Sequence, residues 1–248
     1  MKINIKQVLS ESASFYKENF KKLIGISFIV FIFMVFMQVT GYTQTIFTSH
    51  PSLFWLYFIV IDAILILAII TLPKLALTMS ILINSLFGEN KLTTKQAYRL
   101  TKGKYWLMVR CFMLVGILYI PFVVMIPMKI PFASIISSIC VPFISSLFYA
   151  LFPMIAIEPK TKQYLRKSIK MIKGNYRSIL ILTFLTLTLL NVVNGALIYL
   201  FQGQTTALFI IGLLYTIVYF FVYPFISTVT IVVYRQLKAN QQPFDSTE

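Results

Sequence analysis

Acidic side chains are scarce in this chain, with seven Asp and Glu among 248 residues against 22 Lys and Arg. Histidine occurs once, as His50, and cysteine twice, as Cys111 and Cys140. Acid–base catalysis normally needs at least two positioned proton-transferring groups, and the long apolar stretches hold one carboxylate, Asp62. No H-E-x-x-H, G-x-S-x-G or G-x-x-x-x-G-K-[ST] pattern occurs, so the common hydrolase and nucleotide-binding signatures are missing. The cysteines lack metal-ligand spacing and fall at different depths in apolar runs, where they read as small packing residues. The nine glycines form no G-x-x-x-G pair, which removes the usual small-residue seam for close helix dimerisation. A catalytic centre, a metal site and a cofactor site are therefore not expected.

What the chain has in abundance is apolar surface. Hydrophobic residues make up 58%, charged residues 12%, and the mean hydropathy is +0.84. Soluble domains carry about 25% charged residues, and several apolar runs here exceed the ~20 residues a spanning helix needs. The fold class expected is an all-α membrane protein of six transmembrane helices, forming a single integral domain over 1–248. The spans fall near 23–42, 53–87, 105–128, 131–157, 178–201 and 207–234. The second is too long for one straight crossing, so a bend at Pro73 is expected. Twenty-two residues precede the first apolar run, against the short charged region of a signal peptide, so the first helix is expected to be retained.

Three basic segments repeat one pattern. Tyr176, Tyr105 and Phe20 each begin or precede a long apolar run. Three positions before them stand Lys173, Lys102 and Lys17; eight before, Ser168, Ala97 and Ser12; eleven before, Leu165, Thr94 and Leu9. A second echo is Pro142-Phe143-Ile144-Ser145 in the fourth run and Pro224-Phe225-Ile226-Ser227 in the sixth, with Pro73 in the second as a candidate third member. The pattern predicts three units, each a basic interfacial elbow followed by a helical hairpin. Residues 3–20 show the elbow best: Ile5, Val8, Leu9, Ser12, Phe15 and Phe20 share a helix face, suited to lying in the headgroup plane with lysines toward lipid phosphate. In the second elbow Thr94 is the expected helix cap.

Charge placement sets an orientation. Twenty of the 22 Lys and Arg lie in the N-terminal segment, the 88–110 and 158–177 regions and the tail. Only Lys129 lies in an expected loop on the opposite side, and Lys74 lies in or beside the second span. Basic loops stay on the cytoplasmic side, so both termini and all three elbows are expected there. A high pI also suits nucleic-acid binding, but that needs a solvent-facing basic surface; short basic loops between spans do not supply one, and no nucleic acid partner is expected.

Two groups of side chains are candidates for function. Asp62 and Lys74 form a candidate intramembrane polar site, since an ionisable residue within a span is costly and usually faces protein or water. Lys17, Lys102, Arg166, Lys167, Lys170, Lys173 and Arg177 are candidate contacts for anionic lipid headgroups, each charge near an anionic surface being worth ~1 kcal/mol. The partners expected are thus the lipid bilayer and its anionic headgroups.

The chain resembles the YciC family of enterobacterial inner-membrane proteins across essentially its whole length. The resemblance rests on Asn19-Phe20 before the first span and on Val141-Pro142 through Phe148-Tyr149-Ala150-Leu151. It extends to Ser168, Lys170, Asn175 and Arg177, and to Val233-Tyr234-Arg235 at the close of the sixth span. The wider group includes the membrane portion that accompanies some glycerophosphodiester phosphodiesterases. The resemblance implies a bacterial inner membrane and brings no catalytic residues with it. The first functional reading is a non-enzymatic multi-pass protein of envelope or lipid upkeep. A small transporter or carrier is the alternative, with an immunity or accessory role for a membrane partner behind it.

Overall fold

The computed structural model describes residues 2–49, 51–89, 91–125, 140, 142–158, 163–188, 200 and 204–240. Among them every regular element is helical. The helices are α1 (Ile5–Ser49), α2 (Pro51–Leu86), α3 (Thr94–Leu100), α4 (Tyr105–Met125), α5 (Leu151–Ile157), α6 (Tyr164–Lys173), α7 (Tyr176–Thr183) and α8 (Thr205–Ala239). A short helical stretch from Pro142 leads through a turn at 148–150 into α5, and a π-helical turn, Phe184–Thr188, continues α7.

Three of these helices, α1, α2 and α8, are long and apolar enough to cross a membrane. Shorter apolar helices cover Tyr105–Leu118 and Pro142–Ile157, within the third and fourth spans expected from sequence, and Tyr176–Thr186, which overlaps the fifth. The remainder of those three spans, over 126–139 and 189–199, lies outside the described residues. Helix α2 continues through Pro73 and α8 through Pro224. Pro73, Pro142 and Pro224 are all buried.

The first elbow differs from its expectation. Residues 3–20 do not form a separate helix in a headgroup plane. They are the opening turns of α1, 45 residues long, which at 1.5 Å per residue is about 68 Å. Their apolar face is also not left for lipid: Val8, Ser12, Phe15, Leu23, Ile26 and Val30 form one buried seam at spacings of three, four and eight residues. That seam packs mainly against α8 and α2. The reason is local. The second and third elbows read Lys102-Gly103-Lys104-Tyr105 and Lys173-Gly174-Asn175-Tyr176, whereas the first reads Lys17-Glu18-Asn19-Phe20. Glycine is about 1 kcal/mol worse than alanine inside a helix; Glu18 carries no such cost, and the helix runs on.

The two glycine-bearing elbows break in the same way. Asn175 N donates to Ile172 O at 2.8 Å and Lys104 N to Thr101 O at 3.0 Å; Ile179 N then donates to Asn175 O and Met108 N to Lys104 O. These are equivalent positions in the repeat. The cap of α3 is Thr93 rather than Thr94, because Thr93 has Gln96 at the third helical position and completes a reciprocal capping box. Thr94 has Ala97 there, which offers no side-chain acceptor. The outer loop expected at 43–52 is also mostly helix: nothing between Thr43 and Ser49 breaks α1, and Pro51 opens α2 at the position where a missing N–H costs least.

The core sits at the elbow end of the bundle. One buried cluster joins Phe15, Leu23 and Ile26 of α1 to Leu77, Leu82 and Ile83 of α2, Met108 of α4 and Leu151 and Ile155 of α5. A second joins Ile3 and Val8 to Met154, Met171, Ile172, Ile179 and the Val229–Leu237 end of α8. Away from this end the helices present apolar side chains outward, as at Trp55, Leu56, Ile59, Ile66 and Leu67 of α2. Such a surface is untenable in water and ordinary against lipid tails.

Candidate functional site

The repeat is visible in burial. Ser12, Ala97 and Ser168 are all fully buried, Lys17, Lys102 and Lys173 are all exposed, and Phe20, Tyr105 and Tyr176 are all half-buried. Each copy therefore turns a small residue inward, seats an aromatic ring at the rim and points a lysine outward. Arg166, Lys170 and Arg177 are exposed as well. Hydrogen bonds link the three segments and the α8 terminus: Ile3 N donates to Asn175 Oδ1 at 2.8 Å, Lys104 Nζ to Ala156 O at 2.6 Å, and Arg235 Nη1 to Asn84 Oδ1 at 3.4 Å. The outward cations thus gather at one end of the molecule.

Lys167 stands apart from the other candidate headgroup contacts. Its Nζ donates to Glu158 Oε2 at 2.9 Å, while Tyr234 OH donates to Glu158 Oε1 at 2.7 Å and Lys238 Nζ lies 3.8 Å from the same oxygen. Glu158 is only 5% exposed. Burying a carboxylate is tolerable only where donors and opposite charge surround it, and this one receives them from α6 and α8. Nearby, burial pushes the Lys104 ammonium below the ordinary lysine range, and the Glu158 charge pulls it part of the way back. Sequence reasoning missed this centre. Its signal was that Glu158 is the only acid between Glu89 and Asp245, set beside seven cations.

Asp62 and Lys74 are not brought together. Both lie on α2, twelve residues apart, which is about 18 Å of helix rise. Asp62 is exposed, on a stretch where Phe58, Ile59, Ile66 and Leu67 are exposed too, and it borders none of the cavities described here. Lys74 turns the other way in effect: its Nζ sits 4.1 Å from the centre of the Tyr98 ring on α3, a cation–π contact. It lines a recess of about 580 Å³ with Arg99, Lys102, Tyr105 and Trp106.

A second cavity, about 280 Å³, lies between α4, the 142–152 stretch, the π-helical turn and α8. Ser145, Tyr149, Thr186 and Thr230 bring hydroxyls to walls otherwise made of Phe112, Phe148, Phe152 and Ile226. Among the described residues no charged side chain lines it. Two irregular stretches, the turn at 148–150 and the π-helical turn, border the space, and backbone departures of this kind in membrane helices accompany cavities. Among the described residues no group of His, Cys, Asp and Glu could hold a metal ion. Cys111 and Cys140 are free thiols, the first buried. No family model, no curated protein and no solved structure matches the chain.

Proposed function

We propose that the chain is a non-enzymatic multi-pass protein of a bacterial inner membrane, with six spans and both termini cytoplasmic. Its basic inner surface holds anionic lipid headgroups, in the service of envelope or lipid upkeep. The observation that carries this reading is the gathering of exposed cations at the packed end of the bundle. Lys17, Lys102, Arg166, Lys170, Lys173 and Arg177 all point outward there, around half-buried aromatic rings. Some eighteen Lys and Arg belong to the three elbow segments, and at ~1 kcal/mol each near an anionic surface even a few engaged at once give firm association. The resemblance to the YciC family supports the same placement.

The test reverses charge without touching the buried carboxylate. Arg166→Glu, Lys170→Glu and Lys173→Glu together, with Lys167 left in place on Glu158, are expected to lower the anionic lipid that co-purifies with the protein. Unchanged lipid content in a correctly inserted variant contradicts the reading. A small transporter is the second reading, favoured by the hydroxyl-lined cavity between Pro142- and Pro224-bearing helices, the kind of broken-helix setting that transporters use for midplane sites.

A further inference from the structure

We propose that the recess between α2, α3 and the start of α4 is a discrete binding site for the phosphoryl headgroup of one anionic phospholipid. This rests on the lipid-surface reading above and narrows it to one place. Lys74, Arg99 and Lys102 all line the recess, and among the described residues no carboxylate does. Among the described residues the salt bridges involve other lysines, so none neutralises these three. Lys74 is the telling member. It is half-buried in a predominantly apolar helix, where an ionisable side chain is expensive and calls for a partner. The π face of Tyr98 meets part of that need; an anion between Lys74 and Lys102 would meet the rest.

The surrounding chemistry favours a lipid over a soluble anion. Tyr105 OH donates to Ile70 O at 2.9 Å, tying α4 to α2 just above Pro73 and fixing one wall. Ile70 and the aromatic rings, with Thr101 beside them, make most of the remaining surface apolar, suited to the glycerol and first methylenes of a phospholipid. Trp106 is 69% exposed at the rim, the amphipathic ring type that settles at the headgroup level. Phosphate recognition by a planar guanidinium beside two lysines is the expected pattern for such a group.

Trp55 and Trp106 are the chain's two tryptophans, so a Trp55→Phe background reports from the rim alone. The full chain in neutral detergent is titrated with short-chain phosphatidylglycerol, with phosphatidylcholine of the same chain length, and with inorganic phosphate. Phosphatidylglycerol is expected to give a saturable change in Trp106 fluorescence and the other two none. Lys74→Gln with Lys102→Gln is expected to raise the half-saturation concentration by ~30-fold, from two charges lost. Lys74→Arg should bind like the parent. The exposed pair Lys2→Gln with Lys6→Gln, neither of them among the named headgroup contacts, should leave it unchanged. If the double Lys variant misfolds, Lys102→Gln alone, an exposed position, carries the comparison with ~5-fold expected.

Equal weakening by both pairs overturns the discrete site and leaves the diffuse basic surface standing. Saturation by inorganic phosphate alone overturns the lipid assignment. Indifference of Trp106 to phosphatidylglycerol overturns the site, and the lipid content of the purified parent then decides separately whether the surface reading survives.

Discussion

At the scale of single residues, Glu158 is the centre of gravity. It is buried, it accepts hydrogen bonds from Lys167 and Tyr234, and Lys238 sits nearby. Removing one partner of a buried charged pair typically costs ~3–5 kcal/mol. Glu158→Leu is therefore expected to lower the thermal midpoint in detergent sharply, and Glu158→Gln less so, because the amide oxygen still accepts from Tyr234. Equal midpoints for Glu158→Leu and the parent would show that the cluster holds nothing together. Lys104 gives a pH test. Its folded-state pKa is lowered by burial, so between that value and the unfolded ~10.4 the unfolded chain binds more protons. Stability then rises with pH across this window. The midpoint of the parent minus that of Lys104→Met should grow as pH climbs toward the ordinary lysine range; a flat difference contradicts the assignment. Neither role was open to a reading by periodicity. Tyr234 and Lys238 approach Glu158 from more than seventy residues away, and only the fold brings them there.

At the scale of elements, the three copies are alike in which positions face in and unlike in how the helix is handled. Two residues before the aromatic, the second and third copies have Gly103 and Gly174, and the first has Glu18 in their place. The columns the three copies share predict a break in each, and this one differing column decides that the first helix runs on. Placing glycine there, Glu18→Gly, is expected to destabilise α1 by about 1 kcal/mol, read as a lower midpoint with the helix otherwise retained. The small-residue column gives the opposite sign. The Ser12 and Ser168 hydroxyls are buried and have no hydrogen-bond partner among the described residues, whereas Ala97 fills the same position without a polar atom. Leaving a buried polar group unsatisfied costs ~1–3 kcal/mol, so Ser12→Ala and Ser168→Ala should each raise the midpoint. A fall in both variants would mean that the hydroxyls are engaged. Periodicity alone identified these three positions as equivalent. It could not say that the face they mark meets protein, because lipid and protein neighbours ask for the same apolar pattern.

At the scale of the whole molecule, the all-helical class and the long apolar helices follow directly from composition and run length. The location of the core does not. The packed clusters lie at the elbow end, where α5 packs against both α2 and α8, and the opposite reach of α2 between Trp55 and Ile70 is largely exposed, Tyr57 aside. Lipid tails can cover the second region as well as side chains could, so nothing in the sequence needed to mark it. At about 68 Å, α1 is over twice the ~30 Å hydrocarbon thickness. One end must therefore stand clear of the bilayer, and its first turns carry Lys6, Lys17, Lys21 and Lys22. The side of the membrane that this basic end occupies decides the orientation of every span. Reporter fusions truncated after Glu89, after Glu158 and in the tail should read cytoplasmic, and fusions near His50, Lys129 and Gly203 should read external. A clear reversal at His50 or Gly203 would contradict the six-span arrangement and the inner basic surface with it.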